Sequence, residues 1–191
     1  MKSYSIVLAS ASPRRALLIK KIPWLTATVF PCQADELPFT GGSAATYAQE
    51  NAARKADWVF GHTGGTVLGA DTVVTFGGAV YGKPKAASDA DCLLHTLCGR
   101  THSVITGYCI RTNEQRYVSS EETRVTFKAY DEAIIKAYVR SGAPFDKAGG
   151  YGLQDPLLAP LIVGVDGDED NVIGLPVQAI GKAIKEILKW Q

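Results

Sequence analysis

Five cations and two carboxylates in this chain stand out when taken together: Arg14, Arg15, Lys55, Lys83 and Lys147, with Glu36 and Asp71. Asp71 carries the sharpest signal. It sits in the middle of residues 66–76, the most apolar strand-like run of the sequence, where an ionised carboxylate is costly unless it meets a cation, a metal or strong donors. Arg14 and Arg15 follow Ser12 and Pro13, a good N-cap and a good first helical residue, so both arginines fall at the positive end of a helix dipole. An anion at that terminus, met also by Ser10 and Ser12, would reverse the unfavourable sign; the plainer alternative is a capped helix with two solvated arginines. Lys147 and Gln154 flank a glycine-rich loop at 149–152, offering a phosphate contact and an amide able to hydrogen-bond a base. Glu36, beside Asp35, reads by itself as solvated loop charge. Together the set suits a polyphosphate gripped by Lys and Arg, with a divalent cation (Mg2+ or Mn2+) on the carboxylates.

Other chemistries are poorly supported. Residues 77–83 match the opening of a P-loop, but Pro84 stands where the magnesium-binding Ser or Thr belongs, and Gly77-Gly78 is better read as a hairpin turn. Residues 166–171 are acidic, yet Asn171 and Val177 replace the Gly and Glu an EF-hand needs, which leaves an acidic hairpin turn. Neither histidines nor cysteines show zinc spacing or a nucleophile setting, and the four thiols are expected to be reduced and mostly buried. The formal charge of +1 argues against a bulk nucleic-acid binder, and no apolar run is long enough for a membrane span. The cytoplasm is the expected location.

The elements that must position these residues follow from periodicity. A short buried strand over 5–9 leads into the first helix, which ends near Lys20-Lys21, and a second strand covers 26–30. Residues 43–60 read as a helix with Ala45, Ala48, Ala52, Ala56 and Val59 on one face and a Glu50–Arg54 pair at i,i+4 on another. Lys55 lies beside the apolar stripe, so its ammonium reaches over the buried edge. Ser88 caps a helix bearing Leu93, Leu94 and Leu97, and three strands follow over 103–110, 116–119 and 122–128. Asp131 caps another helix, 161–165 is a strand, and Pro176 starts the last helix. A single domain over 1–191 is the natural expectation.

The ordered motifs give the strongest reading. Leu8-Ala-Ser-Ala-Ser-Pro-Arg-Arg15, Glu50-Asn-Ala-Ala-Arg-Lys55-Ala56, Gly69-Ala-Asp-Thr-Val73, Gly82-Lys-Pro84, Gly99-Arg-Thr-His102 with Thr106-Gly107, Asp146-Lys-Ala-Gly149 with Tyr151-Gly-Leu-Gln154, and Val172-Ile-Gly-Leu-Pro176 run nearly the length of the chain. In that order they resemble the Maf family of nucleoside triphosphate pyrophosphatases. The resemblance implies a mixed-sheet α/β fold of Maf/inosine-triphosphatase type, with two lobes around a cleft, and metal-dependent hydrolysis between the α and β phosphates. It makes Asp71 the proton acceptor or a metal ligand, with Lys83 supporting charge. Glu36 becomes an acid near the metal, and Ser10, Arg14, Arg15, Lys55 and Lys147 hold phosphates. Arg14, Thr72 and Gln154 match the branch acting on dTTP and UTP, with modified pyrimidine nucleotides as further substrates. The family also suggests a homodimer and, as an alternative, a nucleotide-binding regulator of septum formation with incidental hydrolysis. If Gln154 reads the base, Gln154→Glu will lower the kcat/KM ratio of UTP over a purine triphosphate by about 10-fold, the value of one polar base contact; an unchanged ratio removes it from that role.

Overall fold

The computed structural model describes residues 3–188. A seven-stranded sheet has the order β2-β1-β3-β5-β6-β7, with β4 paired to β3 off that path. The strands are β1 Tyr4–Ala9, β2 Leu25–Val29, β3 Val67–Phe76, β4 Ala79–Tyr81, β5 Thr101–Arg111, β6 Arg116–Phe127 and β7 Ile162–Asp166. β1 runs parallel to both β2 and β3, whereas β3–β4 and β6–β7 are antiparallel, so the sheet is mixed as expected. The helices are α1 Pro13–Leu18, α2 Ala44–Thr63, α3 Ala87–Leu97, α4 Glu132–Arg140, α5 Glu169–Ile173 and α6 Val177–Ile187.

The chain divides into two compact units. The first holds residues up to Asp71, Thr106–Glu121 and residues from Gly174 on; the second holds Thr72–Ile105 and Glu122–Ile173. In the first, Ala52, Ala53, Ala56 and Val59 of α2 form a small-residue core with Ala9, Val67 and Cys109. The contact is closer than alanine alone permits. A Cβ on Gly69 of β3 would lie 2.3 Å from the Ala52 carbonyl oxygen and 2.7 Å from the Ala56 nitrogen, and one on Gly107 of β5 would lie 2.3 Å from the Ala48 carbonyl carbon. The helix backbone therefore rests on two glycines of the sheet. The second unit has a larger-residue core, with Leu94, Leu97, Phe127, Ile135, Tyr138 and Leu158 fully or almost fully buried.

Several expectations need correction. Residues 116–119 and 122–128 are not separate strands but one strand, β6, because its polar middle at Ser119–Ser120 keeps the ladder beside β5. Residues 166–171 form no hairpin turn: α5 starts at Glu169, with the Asp168 carboxylate accepting from the Asp170 N–H. Ser88 lies inside α3, whose start is closed by the Asp89 carboxylate accepting from the Lys85 and Ala86 N–H groups. Glu50 and Arg54 form no ion pair; both are exposed, where such a pair gains little against side-chain entropy. All four cysteines are free, but only Cys98 and Cys109 are buried. Gly77 and Gly78 do form the expected turn, with φ of 58° and 81°.

Gly69→Ala forces a methyl into the α2 backbone at Ala52 and Ala56. It is expected to cost at least about 3 kcal/mol, the upper part of the overpacking range, and to lower Tm by roughly 6–12 °C. Gly61→Ala, on α2 with nothing within 4 Å of the added carbon, should be neutral or stabilising in the same thermal scan.

Candidate active site

Asp71 ends the portion of β3 that belongs to the first unit and is almost fully buried. Two residues earlier, on the same face of the strand, Gly69 meets α2 at Ala56, the neighbour of Lys55. That contact brings the Lys55 ammonium within 2.6 Å of Asp71 Oδ1, and the same nitrogen lies 2.6 Å from Glu36 Oε1. One cation thus bridges a buried carboxylate and a largely exposed one. Burial pushes the Asp71 carboxyl above the ordinary carboxylate range. The charge and hydrogen bond of Lys55, with the charge of Arg15, oppose that rise, and Glu36 adds to it.

Arg15 is committed to the same neighbourhood. Its Nε donates to the Gly174 carbonyl at 2.8 Å and one terminal nitrogen donates to the Ala70 carbonyl at 2.9 Å, so the guanidinium ties α1 to the residue before Asp71. Desolvation lowers its pKa and the Asp71 charge raises it, yet a guanidinium stays protonated at any working pH. Ser12 caps α1 by accepting from the Arg15 N–H at 3.5 Å, and the buried Ser10 hydroxyl accepts from the Ser12 N–H at 3.1 Å. Arg14 is half-buried at the second position of α1. Ser10, Arg14, Arg15, Lys55, Glu36 and Asp71 all belong to the first unit.

The second unit holds Thr72, Lys83, Lys147 and Gln154. Here the Gly149 N–H donates to the Gly82 carbonyl at 3.0 Å, which joins the segment bearing Lys83 to the loop bearing Lys147. Gly149, with φ of 67°, is pressed on Val74, whose Cγ2 would lie 2.6 Å from an added Cβ. Lys147 donates to the Ala143 carbonyl at 2.5 Å and to the Asp146 carboxylate at 2.6 Å. Lys83 and Gln154 are exposed and Thr72 is half-buried. The loop is anchored by Tyr151, whose hydroxyl lies 2.7 Å from Nε2 of His102 inside the core; burial drives the His102 pKa down to about 4, so the ring is neutral.

Glu36, read as solvated charge from its surroundings alone, is an ion-pair partner. Two residues to which the sequence assigns no role hold the loop beside it: Tyr47 donates to the Leu37 carbonyl at 2.9 Å, and Asn51, within the Glu50–Ala56 motif, accepts from the Leu37 N–H at 2.8 Å. Their signal was the i, i+4, i+8 spacing with Lys55. No cluster of three or more His, Cys, Asp or Glu able to hold a metal occurs among the described residues. Two carboxylates converging on one cation nevertheless fit Mg2+ or Mn2+, which take one or two protein carboxylates and fill their remaining positions with water and phosphate oxygens.

The fold defines the class. The chain superposes on a HAM1 protein from Coxiella burnetii with a TM-score of 0.59 at 16% identity, covering 97% of this chain and 100% of that one. On the Ham1 protein of Staphylococcus aureus the TM-score is 0.55 at 14% identity, covering 96% and 100%. Within that α/β class the chain belongs to the Maf family: the model described as Maf-like protein matches residues 5–187. A dTTP/UTP pyrophosphatase from Chlorobium luteolum is 37% identical over 98% of this chain and 100% of its own length. One from Thermococcus gammatolerans is 43% identical over 93% and 94%. Among the described residues no helix is long and apolar enough to cross a membrane.

Lys55→Met leaves two carboxylates without their shared cation. The Asp71 carboxyl should then titrate higher still, because the charge and hydrogen bond that oppose its rise are gone, as read by 13C NMR of the side chain. An Asp71 titration that does not move contradicts the bridging role.

Proposed function

We propose that this chain hydrolyses dTTP and UTP, and modified pyrimidine nucleotides, to the nucleoside monophosphate and pyrophosphate. The observation that carries the reading is the buried Asp71 carboxylate held by Lys55 together with Glu36, in a chain aligned end to end with relatives named dTTP/UTP pyrophosphatase. A carboxylate kept in a dry strand by a matched cation has the raised basicity of a general base. Asp71 takes a proton from water as its oxygen bonds the α-phosphorus. The bridging P–O bond to the β-phosphate breaks and pyrophosphate leaves with the electron pair. Lys83 stabilises the charge that develops in this step. Ser10, Arg14, Arg15, Lys55 and Lys147 hold the phosphates, and Arg14, Thr72 and Gln154 select the base. Glu36 and Asp71 would hold a divalent cation, which when bound supplies positive charge against the phosphate oxygens. The activity is assigned to the cytoplasm, and a homodimer is the family's expectation for the assembly.

Product identification on a panel of nucleoside triphosphates, with Mg2+ or Mn2+, tests the reading. Pyrophosphate release is expected from dTTP and UTP, should stop with chelator, and should fall 10²- to 10⁴-fold in Asp71→Asn, the usual value of a general base. Full turnover in Asp71→Asn contradicts the assignment. Tight UTP binding without hydrolysis of any nucleotide would favour the septum-regulator alternative.

A further inference from the structure

Glu36 lies in the irregular stretch between β2 and α2, and its carboxylate is more than half exposed. An exposed ion pair fixes a side chain weakly, because solvent screens it and the loop entropy opposes it. The Lys55 contact is therefore a weak hold on the loop, and the next residue adds a firmer one. Leu37 is half-buried, and both of its backbone polar groups are taken by side chains of α2: its N–H donates to Asn51 Oδ1 at 2.8 Å and its carbonyl accepts from the Tyr47 hydroxyl at 2.9 Å. Two residues further on, the Phe39 ring meets the Tyr47 ring edge-on, with centroids 5.3 Å apart. Three successive turns of one helix thus hold three successive points of the loop: Tyr47 takes Phe39 and the Leu37 carbonyl, Asn51 takes the Leu37 N–H, and Lys55 takes Glu36.

The choice of asparagine is informative. Asn51 is 1% exposed on a face otherwise lined by Ala48, Ala52 and Ala56, and its Nδ2 makes no hydrogen bond of acceptable geometry. Alanine would avoid that unsatisfied donor. Aspartate would keep the bond to Leu37 but add a third negative charge near two carboxylates that already share one ammonium. A neutral acceptor at this position holds the Leu37 N–H without adding charge.

We propose that Tyr47 and Asn51 are positioning residues for Glu36, clamping the Leu37 backbone so that the Glu36 carboxylate stays preorganised beside Asp71 for a divalent cation. The inference rests on the reading of Glu36 and Asp71 as the metal-holding acids. It concerns the protein before nucleotide binds.

The test is Mn2+ binding to the full chain without nucleotide, measured by EPR of the free ion. Tyr47→Phe deletes one hydroxyl and is expected to weaken Mn2+ binding about 3- to 10-fold, the value of one hydrogen bond. Asn51→Ala should weaken it about 10- to 100-fold, the range for residues that orient a metal ligand, and should speed hydrogen exchange of the Leu37 amide. The double variant should lose less than the product of the two, since both residues hold one backbone segment. Val59→Ala, a cavity in the first unit's core on the same helix, should lower Tm and leave Mn2+ affinity unchanged, which separates clamping from general loosening. If Asn51→Ala does not fold, Tyr47→Phe decides alone. Glu36→Gln distinguishes the two levels: weaker Mn2+ binding in Glu36→Gln with parental binding in Tyr47→Phe overturns the clamp and leaves the metal reading standing. Parental binding in Glu36→Gln overturns the metal reading, and the clamp falls with it.

Discussion

The contact between the α2 backbone and the two glycines of the sheet is the constraint on which the site depends. Side chains normally keep a helix backbone off the sheet it packs on, and their absence at Gly69 and Gly107 lets Ala48, Ala52 and Ala56 lie directly on the strands. Lys55 precedes Ala56, and Asp71 is two residues beyond Gly69 on the same strand face. The 2.6 Å ion pair is thus the continuation of a backbone contact, not an isolated meeting of two long side chains. The backbone contact sets the two residues within reach, although Lys55 still gives up its rotamer freedom, and the helix that presents the cation also carries the groups that hold the Glu36 loop.

The electrostatics follow from that packing. Taking Asp71 out of water costs free energy, and the chain offsets the cost with an ammonium in contact and a guanidinium held one residue away through the Ala70 carbonyl. The balance leaves the carboxyl with a raised proton affinity while preserving a strong cationic partner. This is a poor arrangement for stability alone, since an apolar residue in β3 would pack without the penalty, and it suits the general-base role proposed for Asp71. The His102–Tyr151 pair in the second unit is the contrasting case. It too is a buried polar contact, but with a neutral ring it only anchors a loop.

What could be read from the sequence divides along physical lines. Asp71 was legible because a charge in an apolar run is anomalous whatever surrounds it, and Lys55 because helical spacing puts it beside a stripe of alanines. The start of α2 was legible through the Ser43 cap, which accepts from the Thr46 N–H, whereas the helix continues three residues past the expected end at Phe60. Features set by distant partners were not. The polar middle of β6 looks like a turn until its neighbour in the sheet is known. Helix α5 depends on the Asn171 amide donating to the Val104 carbonyl and to the Thr123 hydroxyl, residues more than 45 positions away. Ser88 and Asp89 are both good cap formers, and only geometry shows that the carboxylate reaches back. Glu36 was hidden because an acid in a loop looks the same whether it is solvated or paired.

The most direct measurement is hydrolysis of UTP in 18O-labelled water with the products weighed by mass spectrometry. Attack on the α-phosphorus by a water activated at Asp71 places one 18O in the monophosphate and none in pyrophosphate. Label in pyrophosphate, or release of labelled inorganic phosphate with a nucleoside diphosphate, would contradict the proposed chemistry at the Lys55, Glu36 and Asp71 cluster.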